Sequence, residues 1–377
     1  MWVSLNKMKP KIHLIVGARP NYIKANPVYY SLNQLNKFEI KLVNTGQHYD
    51  ENMSKIFIHE LGMKKPDINL EVGSGSHGEQ TGKILSLYEK VLVEDQPNMI
   101  IVFGDVNSTI ACSLAAAKLG VPIGHVESGL RSFDWNMPEE INRVLTDKLS
   151  TFLFTTSPEA KENLMNEGIA EKNIHFVGNT MIDSLIEFQN KFDKSDIRKE
   201  LNLEHDYALI TMHRPSNVDN GKNLIKLIRS IQKSSEIIPC VFPIHPRTKK
   251  KIQSSKLYDE LNNNKQINLT DPIGYIDFMC LQKNARIIMT DSGGIQEEST
   301  FFGVPCITVR ENTERPITVS LGTNKLIGTE YERIPGEITA ELKNNSNKHS
   351  IPSLWDGKSS DRISKIIESY FYPNIRN

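Results

Sequence analysis

Residues Ala285–Arg315 read ARIIMTDSGGIQEESTFFGVPCITVRENTER. The apolar run Ile287–Thr290 has the length and composition of a buried strand, and it stops at Asp291. Ser292, Gly293 and Gly294 follow, and IQEE opens a helix. VPCITV then supplies a second strand. Strand, tight turn, helix, strand is the unit of a parallel α/β sheet. The turn also carries chemistry. Glycines let backbone amides approach an anion closely, and a helix start offers unpaired N–H groups with a partial positive charge. Glu298 lies one turn into that helix, where a carboxylate suits a sugar diol. Arg310 and Arg315 follow the second strand as two cations at one strand end. The stretch predicts a nucleotide-diphosphate cradle, against the plainer alternative of a glycine-capped strand–turn–helix.

The same unit recurs in both directions. Upstream, KIHLIV, EIKLV, NMIIVF, PIGHV, TFLFTTS and IHFVGNT read as strands separated by helical patterns. ENMSKIFIHELG reads as a helix closed by Gly62, and Asn107 or Ser108 as the cap of the helix after Phe103. The polar stretch KFDKSDIRKELNLEHD interrupts the alternation, which restarts with YALITMH, PCVFPIH, INLTDP, ARIIMTD, VPCITV and NKLIG. Two series of strand–helix units predict two Rossmann-like parallel-sheet domains, residues 1–190 and 191–355.

At 377 residues the chain exceeds one ordinary core. Its 45 basic and 45 acidic residues give a formal net charge of +0, which argues against nucleic acid or an anionic membrane surface as partner. No run approaches the roughly 18 apolar residues of a membrane span. MWVSLNKMKPK lacks a secretory apolar core, so a cytoplasmic location is expected. Cys112, Cys240, Cys280 and Cys306 form no CxxC pair and read as buried thiols. No metal-ligand spacing and no GxGxxG after the first strand appear, so neither metal nor cofactor is expected.

Ligands of open parallel sheets gather at the carboxyl ends of the strands. Here those ends carry Gly17–Arg19, Gln47–His48, Asp105, Glu127, His213, His245 and Ser292–Gly294. They come from both halves, so a site in an interdomain cleft is expected. Arg19 and Lys24 bracket the first helix start and suit an anion. Asp105, Glu127 and Glu139, the last at a helix start after Pro138, form a group of acids. Acids crowded together split their proton affinities, which is what proton transfer at a weakly acidic carbon requires. Each taken singly also reads as a cap or structural acceptor. His213, beside Arg214, can donate to a phosphate, and His245-Pro-Arg247 is similar. His13 and His59 read as structural.

GARPNYIK, TGQHYD, FGDVNST, GHVESGLRS, MPEEINR, VGNTMIDSL, MHRPSN, PIHPRT, TDSGGIQEE and RENTERP occur in that order along nearly the whole chain. Together they resemble the non-hydrolysing UDP-N-acetylglucosamine 2-epimerases. The resemblance implies a GT-B-like fold, a homodimer, and a helix in residues 356–377 that crosses back to the first domain. It implies interconversion of UDP-GlcNAc and UDP-ManNAc by anti elimination of UDP to a 2-acetamidoglucal and re-addition. Carried over by motif, Asp105, Glu127 and Glu139 are the acid/base candidates. Arg19, Lys24 and His213 hold the diphosphate, Ser292–Gly294 bind phosphates through backbone amides, and Glu298 binds the ribose. Phe278 lies near the uracil and Arg315 beside the sugar and phosphates. Many bacterial members read QHRE where this chain has Gln47-His48-Tyr49-Asp50, at a region that helps them bind a second, activating UDP-GlcNAc. TGQHYD and GSHGEQTG also resemble relatives acting on UDP-2,3-diacetamido-2,3-dideoxy-glucuronic acid. A hydrolysing relative, a GT-B glycosyltransferase and a UDP-sugar-binding regulator are the alternatives. The three acids speak against the last two.

Overall fold

The computed structural model describes residues 9–47, 62–253, 255–344 and 349–373. The helix expected over ENMSKIFIHELG, with His59, and the positions His48, Tyr49 and Asp50 lie outside the described residues. The chain forms two compact units: residues 1–187 with 353–377, and residues 188–352.

The first unit is built on seven strands: β1 (Lys11–Val16), β2 (Glu39–Asn44), β3 (Ile68–Asn69), β4 (Met99–Phe103), β5 (Ile123–Ser128), β6 (Phe152–Thr155) and β7 (Ile174–Phe176). All pair in parallel, in the order β3-β2-β1-β4-β5-β6-β7. β4, MIIVF, is buried at every position, as a central strand covered on both faces must be. One face packs Ile15, Val43, Ile100 and Val102 against Ile84, Tyr88, Ala111 and Ala115 of the helices His77–Asp95 and Asn107–Lys118. Alanines in the second helix let it sit close to the sheet.

The second unit repeats the plan. β8 (Ala208–Thr211), β9 (Cys240–Pro243), β10 (Ile267–Thr270), β11 (Ile287–Thr290), β12 (Cys306–Thr308) and β13 (Asn324–Leu326) pair in parallel in the order β10-β9-β8-β11-β12-β13. Leu209, Val241, Ile288 and Cys306 pack one face; Ile210, Phe242, Met289 and Ile307 pack the other. Both sheets share the order 3-2-1-4-5-6, to which the first adds a seventh strand, and the chain reverses direction across the sheet between the first and fourth strands. Crevices at that reversal are where such folds bind ligands. In these sheets the reversals lie at β1/β4 and β8/β11.

The 16-residue helix Arg19–Gln34 shows how the first unit absorbs a local violation. Pro27 inside it removes the donor that Ile23 O would receive. The Ser184 hydroxyl takes that place, donating to Ile23 O at 2.7 Å. The C-terminal helix Ser359–Phe371 belongs to the same unit. Its first amides, Ser359 and Ser360, donate to Asp183 at 3.2 and 2.7 Å. All four cysteines are buried and unbridged.

Candidate active site

In the first unit the reversal point gathers a polar cluster. Gly17 ends β1 where a Cβ would fall 2.1 Å from the Ser108 hydroxyl, so only glycine allows this approach. Asn21 then accepts from the amides of Gly17 and Ala18 and donates to Phe103 O at 2.8 Å, joining the ends of β1 and β4. Arg19 is half-buried at the helix start. Lys24, one turn on, is buried in an ion pair with Glu127.

Glu127 is 5 % exposed and adopts φ +72°, in the left-handed region that favours glycine. The pairing of β5 with β6 slips at this position, between Val126 and Ser128. A buried carboxylate in a strained bulge is costly, and such strain clusters at functional sites.

Behind this turn lies a network that sequence reading missed. The His125 ring donates from Nε2 to Gly104 O at 2.8 Å, and its Nδ1 meets Asp147 Oδ1 at 2.7 Å. Asp147 Oδ2 receives the Gly129 amide at 3.1 Å and Arg131 at 2.7 Å. Burial alone would raise the Asp147 pKa, but His125 and Arg131 outweigh it and hold the acid below its ordinary value. The network clamps the turns that carry Asp105 and Glu127 from behind.

Asp105 follows Gly104 and is gripped by Arg143, whose Nη2 and Nε lie 2.5 and 3.1 Å from Oδ2. Glu139 is exposed in the first turn of the helix Pro138–Leu149. It lines a cavity of about 310 Å³ together with Asp105, Gln47, His77, Asn107 and Asn142. The next residue, Glu140, is the buried one. Gln47 is fixed by Ser108, whose amide and hydroxyl donate to Oε1 at 2.9 and 2.6 Å. Asn107 is not a cap. It is the first helical residue, and its side-chain Nδ2 donates to Gln80 Oε1 at 2.9 Å instead.

In the second unit β8 and β11 deliver the other group. Asp291, fully buried, accepts from the amides of His213 and Arg214, from Asn217 and from His213 Nδ1 at 3.0 Å. Burial works against its charge, yet the His213 bond and charge, with Asn217 and Arg214, hold its pKa below the usual value. With Nδ1 donating to Asp291, Nε2 is the ring nitrogen left to address a ligand. His245 stands 5.2 Å from His213, ring centre to ring centre. Burial first and the neighbouring His213 second lower its pKa. Its Nδ1 accepts from the Arg247 amide at 3.1 Å, capping a helix, a tie that sequence spacing did not reveal.

Ser292 precedes the helix Gly293–Phe302, with Gly293 and Gly294 as its first two residues. Among the described residues no side chain caps the start, and the helix's own first turn carries no acid to offset its dipole. A Cβ on Gly293 would fall 2.5 Å from Arg315 Nη1 and 2.6 Å from Glu314 Oε1, so Arg315 lies against the turn. Arg310 and Arg315 are less available than their position at a strand end predicts. Arg310 pairs with Glu314 at 2.7 Å, and Arg315 pairs with Glu297 at 3.0 Å and with Glu314. Glu298 is buried and accepts from Gln282 at 3.1 Å. Phe278 packs, partly buried, on the apolar cluster with Ile295.

The family model described as UDP-N-acetylglucosamine 2-epimerase matches residues 30–368. The chain belongs to that family. It is 45% identical over 363 residues to the UDP-N-acetylglucosamine 2-epimerase of Methanocaldococcus jannaschii, covering 95% of this chain and 98% of that one. It is 40% identical over 327 residues to the UDP-2,3-diacetamido-2,3-dideoxy-D-glucuronate 2-epimerase of Pseudomonas aeruginosa, covering 86% and 90%. The crystal structure of the M. jannaschii 2-epimerase in complex with UDP-GlcNAc and UDP superposes with a TM-score of 0.89 at 44% identity, over 95% of this chain and 99% of that one. Two Rossmann-like parallel-sheet domains are thus the architecture of this epimerase-family chain.

Proposed function

We propose that the protein catalyses the reversible C2 epimerisation of UDP-GlcNAc to UDP-ManNAc. The observation that carries this is the division of chemistry between two strand reversals. One holds Asp105, Glu127 and Glu139, with Lys24 and Arg19; the other holds the Ser292–Gly294 cradle beside His213, Glu298 and Arg315. The cradle amides and the His213 Nε2 take the diphosphate, Glu298 the ribose diol, and Phe278 the uracil side.

One carboxylate removes the C2 proton. The C2–H electron pair becomes the C1–C2 double bond as the C1–O bond breaks and UDP leaves with its pair. The intermediate is a 2-acetamidoglucal. UDP returns to C1, and a second carboxylate protonates C2 on the opposite face. One proton and one UDP leave and return, so no electron carrier is consumed. Elimination places charge on UDP, which donors fixed in advance stabilise without reorganising.

The 40% identity to the P. aeruginosa diacetamido-glucuronate enzyme supports a second reading, in which that UDP-sugar is the substrate. Self-association as a homodimer is part of the proposal. Phe133 and Trp135 are 72 % and 63 % exposed, and Ile141 and Leu145 present apolar side chains one turn apart on the helix Pro138–Leu149. Among the described residues no helix is long and apolar enough to cross a membrane. We place the enzyme in the cytoplasm, in synthesis of polysaccharide precursors.

The test is proton NMR of purified protein with UDP-GlcNAc in heavy water. UDP-ManNAc carrying deuterium at C2 is expected. Free ManNAc would move the protein to the hydrolysing branch. Turnover of UDP-2,3-diacetamido-2,3-dideoxy-glucuronic acid, supplied in a parallel sample, with none of UDP-GlcNAc would select the second reading.

A further inference from the structure

The helix Pro138–Leu149 does more than present Glu139. Its second turn holds Asp105 at two points. Asn142 Nδ2 donates to the Asp105 carbonyl at 2.9 Å, and Arg143 donates to the carboxylate through Nη2 and Nε, both on Oδ2. Arg143 is itself fixed, its Nη1 lying 2.8 Å from Glu140 Oε2. Glu140 in turn receives the Ser132 amide at 3.0 Å, the Ser132 hydroxyl at 2.9 Å and the Phe133 amide at 2.9 Å. Phe133 sits at φ +59°, a conformation those bonds sustain. Glu140 and Arg143 are buried, while Asp105 and Glu139 face the cavity.

We propose that Arg143 and Glu140 are positioning residues that lock the Asp105 carboxylate to the helix bearing Glu139, so that the two acids keep one fixed spacing. The inference rests on the epimerase reading above. Neither residue is placed on the nucleotide. Two guanidinium donors converging from fixed positions on one oxygen, Oδ2, hold that oxygen in place in a way a single rotating lysine ammonium does not. Losing it leaves the acid present and misaimed.

The experiment is steady-state epimerisation of UDP-GlcNAc by Arg143→Ala, Arg143→Lys and Glu140→Gln, with UDP binding by calorimetry. Because a misplacement of about 1 Å costs roughly a hundredfold in rate, Arg143→Ala should lose about 10²-fold in kcat. KM and UDP affinity should stay within about threefold, since nucleotide contacts are untouched. Millimolar guanidinium, against sodium chloride at equal ionic strength, should restore part of the kcat of Arg143→Ala. Arg143→Lys should fall between that variant and the native enzyme, and Glu140→Gln should lower kcat alone. Native-like kcat in Arg143→Ala overturns the inference. So does a kcat loss matched by lost UDP affinity and unmoved by guanidinium, which marks a merely structural residue. If the native protein exchanges no C2 proton of either UDP-sugar, the epimerase reading falls and this inference with it. Exchange by the native protein alongside an unimpaired Arg143→Ala overturns the inference alone.

Discussion

Asp291 accepts from His213 twice, from its backbone amide at 3.1 Å and from its ring Nδ1 at 3.0 Å. The pair fixes the ring, its tautomer and the end of β8 together. Asp291→Asn keeps the shape but turns an amide NH₂ toward several donors. A buried donor left unmatched costs about 1–3 kcal/mol. Thermal unfolding should register that loss, and calorimetry should show weaker UDP binding even where the variant is folded. Unchanged UDP affinity would remove His213 from the anion site.

Asp105→Asn and Glu127→Gln should each abolish epimerisation while leaving UDP binding in place. Each keeps the side-chain volume and removes the proton-accepting charge. Glu127→Gln also strands Lys24, so its melting temperature should fall further than that of Asp105→Asn. Retained turnover in both variants would end their assignment as acid/base groups.

Much of this was readable in the chain. Apolar runs broken by glycine or a polar residue mark strand ends, and those ends carry Asp105, Glu127, His213 and Ser292. The limits were local. Glu139 and Glu140 are adjacent, and one-residue steps on a helix differ by about 100°. The sequence reading names Glu139 and passes over Glu140, whose bonds from Ser132 and Phe133 only the structure reveals. Arg143, three residues on, carried a usable signal, because i,i+3 pairs share a helix face. The two-residue strand Ile68–Asn69 had no periodicity to read. The occupation of Arg310 and Arg315 by Glu314 depends on how a turn folds back, which spacing does not encode.

Acid should weaken the first unit through Asp95. It meets Lys11 and Lys41 at 2.6 Å each and His13 at 2.8 Å. Burial opposes its charge, but bonds from Lys11, Lys41 and His13 prevail and lower its pKa. Burial, against the pull of Asp95, lowers that of His13. In both cases the unfolded chain binds protons first. Stability is therefore full above the ordinary His value, falls as pH drops below about 6.5, and falls again below about 4. Melting temperature scanned from neutral to acid pH should show this. Asp95→Asn should be less stable than native protein at neutral pH, and the gap should close in acid. A gap constant across the scan would rule out the linkage.

Gly178→Ala should be among the most damaging single changes outside the candidate site. Gly178 has φ +94°, and a Cβ there would lie 2.0 Å from Leu354 O, a backbone atom. Strain plus displaced backbone costs on the order of 3 kcal/mol. Chemical denaturation should report it, with kcat of the surviving folded fraction little changed.

The Leu354 carbonyl belongs to a segment with a wider consequence. Residues 353–373 pack in the first unit: Trp355 donates to Thr156 O, Asp361 receives the Ser31 hydroxyl, and Phe371 lies edge-on to Phe38. The unit that begins the chain is therefore finished by the end of it. On the ribosome, residues 188–352 have their whole sequence available before the first unit has its last helix. Vectorial synthesis thus reverses the order of completion, and a nascent chain that has just released residue 352 from the ribosome has a complete second unit and a first unit still missing Trp355 and Ser359–Phe371.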